Sequence, residues 1–111
     1  MKNSFLIFSI FLLLISCNKK SVNSILVANK AELKEALKNI KAGDDIVLKN
    51  GVWKDVEIQF IGEGTKENPI NLSAETSGKV FIEGVSRLEI SGNFLNVEGL
   101  FFRNGHSPKV N

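Results

Sequence analysis

Between Gly78 and Gly105 the chain reads GKVFIEGVSRLEISGNFLNVEGLFFRNG, and its apolar residues arrive in four short pulses: Val80-Phe81-Ile82, Leu88-Glu89-Ile90, Phe94-Leu95-Asn96-Val97 and Leu100-Phe101-Phe102. Each pulse has the length of a strand and is too short for a helix, and β-branched and aromatic residues dominate. Gly84, Gly92, Gly99 and Gly105 fall between them, where the chain must turn within a residue or two and a positive φ costs glycine little. No two-residue hairpin signals separate the pulses. The pattern therefore predicts successive sides of a coil that stacks on itself, a parallel β-helix.

Upstream the pattern changes period. Within Val27 to Gly43, Leu33, Ala36, Leu37 and Ile40 form one apolar stripe at helical spacing, with Glu32, Lys34, Glu35, Lys38 and Lys41 on the other sides. Asn29 is a good N-cap with Glu32 at the capping-box spacing, and Gly43 is the expected end. The stripe is expected to cover the open end of the coil and hide its strand edges, more often than to form a groove for a partner. Ile46-Val47-Leu48 is a short strand and Asn50-Gly51 a turn. Alternation then runs from Val52 to Phe60, with Val56, Ile58 and Phe60 on one face and Asp55, Glu57 and Gln59 on the other. Gly62 to Pro69 is a polar loop, Ile70-Asn71-Leu72 a strand, and Glu75 to Lys79 a turn. Steps of 24 and 23 residues link Leu48, Leu72 and Leu95, and steps of 22 link Ile58, Val80 and Phe102. Such a period signals stacked repeats. A small β-sandwich, which must close within the same few strands, ranks below it.

The first residues belong to another pattern. Lys2 precedes an apolar run from Phe5 to Ile15, shorter than the ~20 residues of a membrane span and matched to a secretory h-region. Leu14-Ile15-Ser16-Cys17 resembles a lipobox, which implies cleavage before Cys17 and acylation of it. The expected organisation is a signal peptide over 1–16, a lipidated Cys17 with a tether to 24, and the coil domain from 25 to 111. Cys17 is the sole cysteine, so no intrachain disulfide forms. Asn18-Lys19-Lys20 carries no acidic cluster, which points to a bacterial envelope protein held on the outer membrane and facing the periplasm. Without residues 1–16 the chain carries 13 basic and 12 acidic side chains. Bulk charge therefore argues against nucleic acid as partner.

Few residues invite a chemical role. Glu83, Glu89 and Glu98 with Asn96 are oxygen donors of the type calcium takes, but period-two exposure explains them as solvated strand positions. His106, the single histidine, follows a glycine in an expected loop, where a turn role outweighs a contact to substrate. Asp44-Asp45 is expected to shape the turn after Gly43, and Trp53 to pack beneath the helix more often than to stack on a sugar. Phosphate loops, nucleophile elbows and Cys/His metal spacings do not occur.

In combination, several segments resemble the N-terminal part of polysaccharide lyase family 6, which holds alginate lyases and chondroitinase B. They are the capping helix, Ala42-Gly43-Asp44, Asn50-Gly51-Val52-Trp53-Lys54-Asp55-Val56, Asn68-Pro69-Ile70, Gly78-Lys79-Val80 and Glu98-Gly99-Leu100-Phe101-Phe102. Trp53 stands where the family more often has Tyr. The closing Asn104-Gly105-His106-Ser107-Pro108 looks more like the alginate-cleaving members. The resemblance implies an all-β fold, a right-handed parallel β-helix with an N-terminal capping α-helix, of which this chain would be a truncated piece holding the first coils. It implies cleavage of an anionic polysaccharide, alginate or a dermatan-type glycosaminoglycan, by β-elimination. In the family, calcium neutralises the uronate carboxylate, a lysine takes the C5 proton and an arginine assists the leaving oxygen, because that proton is too weak an acid without charge stabilisation. The family's calcium and catalytic residues are expected beyond Asn111, so no catalytic, metal or cofactor-binding residue is assigned here and the fragment alone is expected to be inactive. The alternative class is a β-helix lipoprotein that binds glycan, or is structural, without catalysis.

Overall fold

The computed structural model describes residues 23–105. Nine strands and one helix follow in the order β1 (Asn23–Val27), α1 (Lys30–Lys38), β2 (Asp44–Leu48), β3 (Gly51–Lys54), β4 (Glu57–Glu63), β5 (Ile70–Ala74), β6 (Val80–Gly84), β7 (Arg87–Asn93), β8 (Leu95–Glu98) and β9 (Leu100–Gly105). They build three sheets, β1-β2-β5-β8, β3-β6-β9 and β4-β7. Every pairing is parallel. From β2 onward consecutive strands lie in different sheets, and strands pair with their counterparts one circuit on, so the fold is a parallel β-helix. β2, β3 and β4 make the first full coil, and β5, β6 and β7 the second.

Residues of like kind stack in the registers. Ile46, Leu72 and Val97 form one inward ladder; Trp53, Ile82 and Phe102 form another; Ile58 with Leu88 and Phe60 with Ile90 line the third sheet. Ile46, Leu48, Ile58, Phe60, Ile70, Leu72 and Val80 are fully buried. At roughly 1.5–3 kcal/mol for each buried side chain of this size, the interior is the main source of stability. The strand steps are not of one length: Ile46 to Leu72 spans 26 residues, Ile58 to Leu88 spans 30, and Val80 to Leu100 spans 20. The expected step of 22 from Ile58 to Val80 to Phe102 therefore joins residues that do not stack. Corners of different length separate the strands, and hydrogen bonding rather than sequence spacing sets the register.

α1 caps the N-terminal end. Asn29 Oδ1 accepts from Glu32 N at 2.9 Å, and Glu32 Oε1 returns a bond to Ala28 N at 2.7 Å. Leu33 is buried, and the helix packs on β1, β2 and β4, so the stripe covers the coil end as expected. The helix stops at Asn39, earlier than Gly43: Asn39 N donates to Ala36 O, and its Nδ2 donates to Glu35 O. Ile40 lies past the helix but still packs on the core. Gly43, at φ +88°, serves the following turn, where Asp44 Oδ2 accepts from Lys41 N at 2.9 Å. Asn23 and Ser24, read as tether, are strand residues paired with Asp44 and Asp45.

The alternation from Val52 to Phe60 is broken at Asp55, which takes φ +53° and turns the chain from β3 into β4. The corner resets the phase, so Trp53 and Val56 both face inward. Asp55 is held there by Oδ1, which accepts from Val85 N at 2.7 Å on the next coil.

Candidate functional site

The outer faces of the three sheets differ in chemistry. On β2-β5-β8 the row Asp45, Asn71, Asn96 points outward, with Asn96 Nδ2 donating to Asn71 Oδ1 at 2.9 Å. On β4-β7 the rows are Glu57 with Arg87 and Gln59 with Glu89. On β3-β6-β9 the outward row is Val52, Phe81, Phe101, and the row beside it begins Lys54, Glu83. The Phe81 and Phe101 rings meet edge to face with centroids 5.8 Å apart. The Arg103 guanidinium lies 3.8 Å over the Phe81 ring and its Nε donates to Glu83 Oε2 at 2.6 Å.

A cavity of about 460 Å³ opens beside this face, and its charged lining is Lys30, Lys49 and Lys54. Val52 and Lys54 belong to both the cavity and the face. Lys30 Nζ donates to the carbonyls of Lys54 and Asp55. Trp53 forms part of the wall, yet it is only 5 % exposed and its indole N–H donates to Lys49 O at 3.0 Å. The tryptophan is thus a core residue that shapes the cavity, and its ring is not presented to a sugar.

The carboxylates weighed from sequence do not converge. Glu83 stands on β6, Glu89 on β7, and Glu98 with Asn96 on β8, three different sheets. Glu83 is paired with Arg103, and Glu89 approaches Arg87 at 3.8 Å. Among the described residues no group of three or more His, Cys, Asp or Glu is placed to hold a metal ion. They do not fit a calcium ion. Asp44 and Asp45 both open β2, the Asp44 carboxylate closing the preceding turn and Asp45 accepting from Ser73 Oγ at 3.3 Å. Cys17 and His106 lie outside the described residues, as does the segment read as a signal peptide. Among the described residues no helix is long and apolar enough to cross a membrane.

The family profile of chondroitinase B matches residues 27–111. The chain belongs to the chondroitinase B family, polysaccharide lyase family 6. The alginate lyase AlyGC, described as a member of family 6, is 43% identical over 78% of this chain, with a TM-score of 0.73. A family 6 polysaccharide lyase from Pseudopedobacter saltans is also 43% identical, over 73% of the chain, with a TM-score of 0.70. A mannuronic acid specific family 6 lyase from human gut microbiota is 30% identical over 76% of the chain, with a TM-score of 0.65. The matched part is 12% of the first of these structures, 19% of the second and 20% of the third. Comparison with curated proteins gave no match. Within the described coils, the outer face of β3-β6-β9 carries the exposed Phe101 and adjoins the lysine-lined cavity.

Proposed function

We propose that this chain is the cap and first coils of a lipid-anchored polysaccharide lyase that cleaves uronate-containing polysaccharide, alginate foremost, by β-elimination. The observation that carries the reading is the 43% identity to the alginate lyase AlyGC, with the same fold over 78% of the chain. Elimination requires a base at C5 and stabilisation of the charge that develops beside the carboxylate. The residues that do this, and the ligands of the calcium that the family resemblance implies, are proposed to lie outside residues 23–105. The role of the described coils is to start the register on which those residues stack. A ladder that begins with Ile46, Leu72 and Val97 fixes which side chains of every later coil face in or out.

The test is incubation of the full-length protein with alginate, polymannuronate and dermatan sulfate, with and without a calcium chelator. Absorbance of the unsaturated uronate product is expected to rise on alginate, and the chelator is expected to abolish the rise. Failure on every uronate polymer would overturn the lyase reading. The 111-residue chain alone is expected to give no product, and turnover by it would place the chemistry within these coils.

A further inference from the structure

We propose that the outer face of the β3-β6-β9 sheet and the lysine-lined cavity beside it form a binding track for a uronate chain, with a sugar face on Phe101, carboxylates at Lys49 and Lys54, and the Phe81 ring, covered by Arg103, as the floor between them. This deepens the lyase reading and rests on it for the identity of the polymer. The outward row of this sheet is apolar throughout, whereas the rows Asp45-Asn71-Asn96 and Glu57-Arg87 beside it are polar and Ile61 on β4 is paired with Ser91. Val52 is 56% exposed and Phe101 49% exposed, on the two outer strands of this sheet. Isolated apolar residues on a surface need no explanation, but an aromatic pair in register with a third apolar residue is a patch. Strands stack about 4.8 Å apart, so the row from Val52 through Phe81 to Phe101 spans about two such steps. A pyranose ring advances by a length of the same order, so sugars running along the coil axis fall one to a strand.

The electrostatics match an anionic glycan. The charged side chains lining the cavity are all lysines, and the Lys49 and Lys54 ammonium groups make no ion pair among the described residues. Both residues are exposed. The carboxylates nearby are already engaged: Glu83 with Arg103, Glu75 with the Asn50 backbone N–H at 2.9 Å, and Glu32 with that of Ala28. Glu83 therefore presents a neutralised pair. Arg103 is oriented by Glu83 and the Phe81 ring, which holds the Phe81 side of the patch in place. A uronate chain offers a C–H face to an aromatic ring and one carboxylate per sugar to a lysine. A neutral glycan would leave the lysines uncompensated, and the balanced overall charge disfavours a polynucleotide.

The experiment is electrophoresis of the full-length protein, in the cold, through gels containing alginate, dermatan sulfate or a neutral β-glucan, at several salt concentrations. Alginate is expected to retard the protein and the β-glucan is not. The Lys49→Glu/Lys54→Glu double variant is expected to bind alginate about threefold or more weakly, with a flatter salt dependence, since surface charges are screened. Phe101→Ala is expected to weaken retention to a similar degree without flattening the salt response. Lys66→Glu, in the loop between β4 and β5 at the corner opposite this sheet, is expected to behave as the parent. Parent-like retention of both track variants, with unchanged melting, would overturn the proposal. So would tighter binding of oligothymidylate than of alginate. Cleavage assays separate the two readings: if the protein cleaves alginate while the track variants bind normally, the track fails and the lyase stands. If nothing is cleaved but the variants lose retention, the lyase reading fails and the track stands.

Discussion

Gly92 and Gly78 both have positive φ, at +133° and +80°, yet they carry different burdens. Gly92 lies within β7 directly opposite Gly62 of β4, and a Cβ on it would run into the Gly62 carbonyl. Gly78 turns in open space, with nothing within 4 Å of an added Cβ. Gly92→Ala is therefore expected to cost more than the ~1–3 kcal/mol of a strained φ alone, because backbone must also move. Gly78→Ala should cost about 1–2 kcal/mol, the penalty of a left-handed residue with a side chain. Urea denaturation of the two variants measures the difference, and equal losses would show that the β4-β7 backbone contact is not limiting. The expectation that Gly92 separates two strands is thus revised: it permits two strands to touch. Its neighbours Gly84 and Gly99, at φ +75° and +85°, do mark corners.

At the scale of the element, the helix illustrates how local signals and tertiary packing divide the work. Its start is fixed by Asn29, whose side chain accepts from Glu32 N, an N–H group that the first turn leaves unpaired, and by Glu32, whose carboxylate accepts from Ala28 N just before the cap. Asn29→Ala is expected to lower stability by about 1 kcal/mol, read as a shift in the denaturation midpoint with unchanged slope. Its end was displaced from Gly43 because Asn39 offers an earlier set of bonds, including Nδ2 to Glu35 Oε2 at 3.3 Å. The Glu35–Lys38 pair is exposed at 4.0 Å and contributes little. The turn after β2 shows the same economy between coils: Asn50 donates to Thr76 Oγ1 and accepts from Thr76 N, both at 3.0 Å. Asn50-Gly51 thus joins two coils as well as turning the chain, a role that spacing within one coil does not disclose.

For the whole molecule, burial depends on where a coil lies along the axis. Phe60 is fully buried while Ile90, its register partner on the next coil, is 52% exposed; Ile82 and Phe102 differ in the same way. All four occupy inward positions, and no strand among the described residues lies beyond β7 or β9 to cover the second pair. The large exposed apolar residues therefore divide into two kinds. Ile90 and Phe102 occupy inward positions on the last described coil, whereas Val52 and Phe101 face outward and make a surface. The proposed anchor belongs to this scale also. Cys17→Ser is expected to release the full-length protein from the membrane fraction, and a variant that stayed membrane-bound would remove the lipid from the proposal.

The sequence by itself determined the fold class, the capping helix and the short apolar pulses between Gly78 and Gly105, because strand period and helix period are local properties of a chain. Glycine-punctuated pulses between Gly78 and Gly105, with the matching segments before them, were enough to point to family 6. Tertiary structure alone decided which residues stack. Ile58 meets Leu88 across 30 residues because the corner lengths between strands vary, and hydrogen bonding in parallel register, not a constant period, aligns the coils. It also decided how Trp53, expected beneath the helix, comes to face inward together with Val56: the Asp55 corner changes the phase of alternation. The outward Val52-Phe81-Phe101 row arises likewise, from three segments that only the winding of the chain brings side by side.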